Sequence, residues 1–315
     1  MKPMLRRGFL CSLSSMAWWS PPAFRTEVSL VRVDCEVTDG TRTIDGLIPA
    51  DFAVLDNGQP QTIRVVSQGE EPLDIVLVFD VSGSMAGSIA RVRKGARNVL
   101  AQMKAGDRVA LTEFSGRSVQ VLPLCSNMDQ VAQVIETHRT SRWVGVGTAL
   151  LGAVEAARKV LARERRASRR RAILVVTDNF GNAKRPNQDA LVVRLWETDA
   201  SVHGVLVGPY LWLQKQRRAG RAFPPSMMRR EEMASHLDDV AEKTGGTLLG
   251  AEQPEDDFAR LMERIRRRYS IYYDMPQGRA GEKRTVRVEL SESGLIRHPG
   301  ARAQARKGYV LPEKR

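Results

Sequence analysis

Histidine, cysteine and aromatic side chains are scarce in this sequence: 315 residues hold four His, three Cys and only 6% Phe, Trp and Tyr. The histidines offer little to catalysis. His203 falls in an apolar stretch that reads as a core strand. His138, His236 and His298 have neither a nucleophile nor a second ligand at useful spacing. No glycine-rich loop with its lysine is present, so nucleotide use has no support. After the N-terminal segment no apolar run approaches the roughly 20 residues that a membrane-spanning helix needs. Three cysteines make no disulfide framework. Cys11 lies in the N-terminal segment, and Cys35 and Cys125 read as two small buried residues rather than a bridge.

What the chain has in excess is positive charge, with Lys and Arg outnumbering Asp and Glu by 49 to 36 and a formal net charge of +13. Such a balance raises nucleic acid or an anionic surface as a partner. The densest run, Arg158 to Arg171, lies at the end of a predicted helix and contains no interleaved aromatic residues. It therefore reads as a solvated face rather than a stacking platform for bases. The first 23 residues read as a targeting segment: Arg6-Arg7, then Gly8-Phe9-Leu10 and an apolar run to Trp19. The paired arginines resemble a twin-arginine export signal, which places the protein outside the cytoplasm, periplasmic or secreted. Membrane contact is expected only through an uncleaved signal segment.

Val31, Val33, Cys35 and Val37 alternate with Arg32, Asp34 and Glu36, as in a strand with one buried face. Phe52 to Leu55 and Gln61 to Val66 flank Asn57-Gly58, a hairpin signal because both residues tolerate positive φ. From Leu73 strands alternate with amphipathic helices, the pattern of a parallel sheet. Strands are expected at 73–80, 107–114, 118–124, 172–177, 202–207 and 246–250. Helices are expected near 86–103, 127–138, 148–163, 187–197, 230–243 and 254–268. After Arg268 the pattern returns to β. The predicted fold is α/β, a doubly wound, mostly parallel Rossmann-like sheet over 71–268. A small all-β accessory domain is expected to form from the flanks 24–70 and 269–315.

The chemistry concentrates at Asp80-Val81-Ser82-Gly83-Ser84, between the apolar strand Ile75 to Phe79 and a helix. One carboxylate and two hydroxyls at alternate positions of a tight loop are hard oxygen donors suited to Mg²⁺, and they leave much of its charge unneutralised. Ligands of open α/β sheets sit at the carboxyl ends of the strands. Two further donors stand there: Thr148, at a helix start after Gly145-Val146-Gly147, and Asp178, after Ile173 to Thr177.

These five positions, taken in order, resemble the metal-ion-dependent adhesion site of von Willebrand factor A domains. The flanks Gly46 to Ile63 and Arg284 to Tyr309 resemble a von Willebrand A-related family of exported bacterial proteins. The resemblance implies that Ser82, Ser84 and often Thr148 coordinate the ion directly, and that Asp80 and Asp178 do so directly or through water. It further implies Mg²⁺ as the ion, with Mn²⁺ or Ca²⁺ as alternatives, and a protein ligand whose Asp or Glu carboxylate completes the coordination. One departure stands out at Asp178-Asn179-Phe180-Gly181, where many relatives carry Gly directly after the Asp; Phe180 is expected to shape the rim of the site. The segment 208–229, with Tyr210, Trp212, Arg217 and Arg218, leaves a strand at the same edge and is the candidate partner-binding loop.

The expectation is thus a metal-dependent protein-binding or adhesion module of the envelope or secreted space, with no enzymatic activity and no small-molecule substrate. A metal-assisted hydrolase and a basic-surface nucleic-acid binder are the rival readings.

Overall fold

The computed structural model describes residues 29–164, 169–179, 187–208, 237–251 and 254–312. Its central sheet contains β6 (Leu73–Asp80), β7 (Arg108–Phe114), β8 (Ser118–Cys125), β9 (Arg170–Thr177), β10 (Ala200–Val207) and β11 (Leu248–Ala251) in the order β11-β10-β9-β6-β7-β8. All neighbours are parallel except β7 and β8, which form an antiparallel hairpin. Strand order reverses around β6, so the crevice for a ligand lies beside the carboxyl end of β6.

Helices cover both faces. Helices α1 (Ile89–Leu100), α2 (Met128–Thr137) and α6 (Pro254–Arg266) pack on the face carrying Ile75 and Leu77. Helices α3 (Leu150–Ala162), α4 (Gln188–Thr198) and α5 (Leu237–Lys243) pack on the face carrying Val76 and Val78. This sandwiching explains why β6 and β9 read as unbroken apolar runs, as strands buried on both sides do. The helix predicted near 230–243 is described only from Leu237 onward.

The flanking segments pair with each other. One sheet joins β1 (Leu30–Asp39) to β12 (Tyr269–Asp274) on one side and to β14 (Ala301–Ala305) on the other; the short β2 (Arg42–Thr43) also pairs with β1, and β5 (Ile63–Gln68) borders β12. A second sheet has the order β15-β13-β3-β4 from Gly308–Val310, Lys283–Leu290, Phe52–Asp56 and Gln59–Gln61. The two share one apolar core that includes Val33, Ile271, Tyr273, Val54 and Val288. Asp56, fully buried, accepts from Tyr273 Oη at 2.8 Å, Tyr309 Oη at 2.6 Å and Arg284 Nε at 2.7 Å. A short helix, α7 (Glu292–Arg297), links β13 to β14.

Two expectations need correction. The hairpin after Asn57-Gly58 has the expected turn, with φ of 46° and 77°, but its second strand is only Gln59–Gln61. Beyond Thr62 the chain crosses to the other sheet, where β5 pairs with β12. A bend between the two sheets is what permits one chain to edge both.

The second correction concerns the basic run, which is not a solvated face at its end. Arg169 and Arg170 are buried. Arg169 Nε reaches Asp74 at 2.7 Å, and Arg170 Nε reaches Asp34 at 3.2 Å while its Nη2 donates to the Ile265 carbonyl at 2.7 Å. The amino ends of β6 and β9 meet the β1–β12 sheet there, and guanidinium groups are drawn in by the acids of both layers. Earlier members of the run, Lys159 and Arg163, are exposed.

Candidate metal site

The register aligns Asp80 with Phe114 of β7 and Phe79 with Val176 of β9, so the carboxyl ends of three neighbouring strands lie side by side. After Asp80 the chain turns sharply, and Gly83–Ser88 forms a 3₁₀ turn leading into α1. Met85 N donates to Ser82 O at 3.0 Å, and Val81 N donates to Phe114 O at 2.9 Å. The turn is therefore pinned both to itself and to the next strand. Met85 is fully buried beneath it, anchoring the loop to the core that α1 covers.

Asp80 is only 2% exposed. Its Oδ1 accepts from Ser82 N at 3.0 Å, and its Oδ2 accepts from Thr177 Oγ1 at 2.6 Å. The Ser82 and Ser84 hydroxyls stand 3.2 Å apart. Burial pushes the Asp80 carboxyl up to about 6; hydrogen bonds from Ser82 and Thr177 oppose the rise, and the negative charge of Asp178 adds to it. The structure thus brings Asp80, Ser82 and Ser84 together and sets Asp178 close enough for its charge to act on Asp80.

Thr148 sits on the adjoining loop. Ser115 Oγ donates to Gly147 O at 2.6 Å, Ala149 N donates to Ser115 O at 2.7 Å, and Arg117 N donates to Val144 O at 2.7 Å. A Cβ on Gly116 would lie 2.2 Å from Val146 O, so the two loops touch backbone to backbone. Upstream, the buried Glu113 accepts from Ser141 N at 2.6 Å and lies 3.3 Å from His138 Nε2. These contacts fix the segment that delivers Thr148 to the end of β7.

The donor set suits a small hard cation. Among the described residues the hydrogen bonds given to the buried Asp80 carboxylate come from neutral groups, and a second acid lies nearby, so a cation would compensate its charge. Both Asp80 oxygens accept hydrogen bonds from neutral donors, Ser82 N on one and Thr177 Oγ1 on the other. Among the described residues no group of three or more His, Cys, Asp or Glu is placed to hold a metal. A site here therefore depends on hydroxyls, the donors that Mg²⁺ or Mn²⁺ accept more readily than softer metals do.

The residue after Asp178 explains the departure noted in the sequence. Asn179 has φ of 61°, the left-handed conformation that Gly adopts freely and Asn tolerates best among side-chain-bearing residues. It is fully buried, and its N donates to Thr177 Oγ1 at 3.0 Å. Neither Asn179 Oδ1 nor Nδ2 finds a hydrogen-bond partner among the described residues. The predicted partner-binding residues, Phe180, Tyr210, Trp212, Arg217 and Arg218, lie outside the described residues.

The sequence reading missed two apolar residues on the rim. Trp143 is 81% exposed and Val146 fully exposed, and both line a shallow surface hollow with Gly116, Arg117 and Gly145. They sit on the loop that carries Thr148. The available signal was a Trp just before a Gly-Val-Gly stretch in a segment with no amphipathic period.

Residues 75–181 match the family described as von Willebrand factor type A domain. Among solved structures the chain is similar to an aerotolerance-related membrane protein from Bacteroides fragilis NCTC 9343, at 16% identity and a TM-score of 0.47, covering 61% of this chain and 98% of that one. It is also similar to proximal thread matrix protein 1 of the mussel byssus with a zinc-occupied MIDAS motif, at 16% identity and a TM-score of 0.47, covering 68% and 50%. A von Willebrand factor type A protein from Catenulispora acidiphila aligns at 11% identity and a TM-score of 0.47, covering 92% and 76%. No curated protein matches the sequence.

Proposed function

From the premise that this chain carries a von Willebrand factor type A domain, we propose that it is a divalent-metal-dependent protein-binding module without catalytic activity. Asp80, Ser82, Ser84, Thr148 and Asp178 are its metal ligands, with Mg²⁺ the ion. The observation that carries this reading is Asp80: buried, bonded by neutral donors among the described residues, pushed up to about 6 and next to a second acid. When bound, the ion supplies an open coordination position for a carboxylate of the partner. Trp143 and Val146 give that partner an apolar contact beside the ion, Trp being among the residues that most often carry interface binding energy.

On this reading 71–268 is the von Willebrand A domain and the flanks 24–70 and 269–315 form one accessory β domain. Their mutual pairing and shared core support that division. Residues 1–23 are proposed to direct export to the periplasm or beyond. No helix among the described residues is long and apolar enough to cross a membrane. The test is recovery of partner from envelope extracts on immobilised protein in Mg²⁺ or in chelator, with Asp80→Ala beside the parent. Recovery that needs both Mg²⁺ and Asp80 supports the proposal; equal recovery in all arms refutes it.

A further inference from the structure

At the opposite end of the central sheet from Asp80, the amino ends of β9 and β10 meet the β1–β12 sheet around a small polar cavity. Asp34, Trp196, Asp199, Ser201, Arg268 and Arg306 line it, and its volume is about 20 Å³, room for one monatomic ion or one water. The lining itself carries two carboxylates, Asp34 and Asp199, against two guanidinium groups, Arg268 and Arg306; the excess of guanidinium groups lies in the wider network of described residues. Five guanidinium groups, those of Arg32, Arg170, Arg264, Arg268 and Arg306, are paired among three carboxylates, those of Asp34, Glu36 and Asp199.

Several of the buried donors are also unsatisfied. Arg268 is 1% exposed. Its Nη2 donates to carbonyls, among them Gln304 O at 3.1 Å, but its Nε and Nη1 have no hydrogen-bond partner among the described residues. The nearest carboxylate oxygen to Nη1, Glu36 Oε2, is 3.8 Å away, too far for a hydrogen bond. Nε of Arg306 and Nε of Arg32 are likewise unpartnered. Leaving charged donors buried and unpaired is among the costliest arrangements a protein interior can hold.

Burial is the largest influence on two neighbouring groups, and nearby guanidinium groups add to it. Burial, together with Arg268, Arg170 and Arg264, holds the fully buried His203 well below the usual imidazole range. Burial and the nearby Arg170 lower Arg268 itself, against the opposing pull of Glu36 and Asp34.

We propose that this cavity is a structural anion site that takes one halide-sized ion, chloride under ordinary conditions, held by Arg268 and Arg306. A water offers two acceptor lone pairs and no charge. A halide offers charge and unrestricted acceptor directions, and so compensates both the donors and the excess. The ion ties β10 and the turn before it to the flanking sheet.

The test is thermal unfolding of the full chain at constant ionic strength, with sodium chloride or bromide replaced stepwise by sodium gluconate, whose anion is too large to enter. A single bound ion raises the midpoint by about 3 °C or more between halide-free and 200 mM halide. Arg306→Gln, at a partly exposed position, flattens that dependence, as does Arg268→Gln if it folds. Crystals soaked in bromide then show one anomalous peak beside Arg268. The same midpoint in halide and gluconate, or bromide-soaked crystals with water alone in the cavity, overturns the proposal.

Discussion

Thr177 Oγ1 donates to Asp80 Oδ2 at 2.6 Å, linking the ends of two adjacent parallel strands through the proposed metal carboxylate. The same hydroxyl accepts from Asn179 N at 3.0 Å, so one threonine orients both the acid of the first loop and the turn that follows Asp178. Groups that orient metal ligands in this way typically matter 10–100-fold in affinity. Thr177→Val is expected to weaken Mg²⁺ binding about 10-fold while preserving the fold, measured by calorimetric titration. Unchanged affinity would remove Thr177 from the site.

Asp80 gives a pH-dependent signature in the metal-free protein. Its folded value is raised from 3.8 to about 6, so its ionisation opposes folding. The penalty is absent below the unfolded value, grows as pH rises through the interval between the two, and is complete above the folded value. Asp80→Asn should therefore raise the unfolding midpoint in chelator at pH 7.5, by roughly 2–4 °C for a gain near 1 kcal/mol. The gain should vanish by pH 4. In Mg²⁺ the order reverses, because only the parent gains stability from the ion. Thermal scans across pH in both buffers check the sign.

The Asp34 cluster predicts a contrast between buried and exposed ion pairs. Burial favours the neutral acid, but Arg170, Arg32 and Arg268 outweigh it and hold the Asp34 carboxyl well below the usual range. Its stabilisation is present above the unfolded carboxylate range and is lost as pH falls below it. Asp34→Ala removes the carboxylate partner of the buried Arg170 and is expected to cost about 3–5 kcal/mol in urea unfolding. Arg97→Ala, from the exposed pair with Glu136, should cost about 1 kcal/mol or less.

The rim residues separate metal binding from partner binding. Trp143→Ala and Val146→Ser should lower partner recovery at least about 10-fold, as hot-spot truncations do, and leave Mg²⁺ affinity within about twofold because neither is a ligand. Comparable recovery with the parent would place the partner elsewhere on the edge.

The proposed metal loop was legible because Asp80, Ser82 and Ser84 stand at alternate positions of one short stretch and a strand-turn-helix pattern fixes where it lies. The central strands were legible for the same local reason: Ile75 to Phe79 and Ile173 to Val176 are apolar runs bounded by turns. What escaped was set by distant partners. Arg170 reads as one more surface charge until Asp34, 136 residues away in sequence, is folded against it. Ile63 to Gln68 looks like the return strand of a hairpin until Tyr269 to Tyr273 supplies a better edge. Asn179 in place of Gly gave no hint of its φ of 61°, because Asn is common in loops of every conformation. Trp143 carried no periodic signal, and its exposure follows only from how Ser115 and Gly116 clamp the loop.

Crystals grown with Mn²⁺ and measured at the manganese edge test the central claim most directly, since they report position rather than activity. The account predicts one anomalous peak in contact with Ser82 and Ser84 at the carboxyl end of β6, absent from crystals of Asp80→Ala. No peak there, or an undiminished peak in that variant, would contradict it.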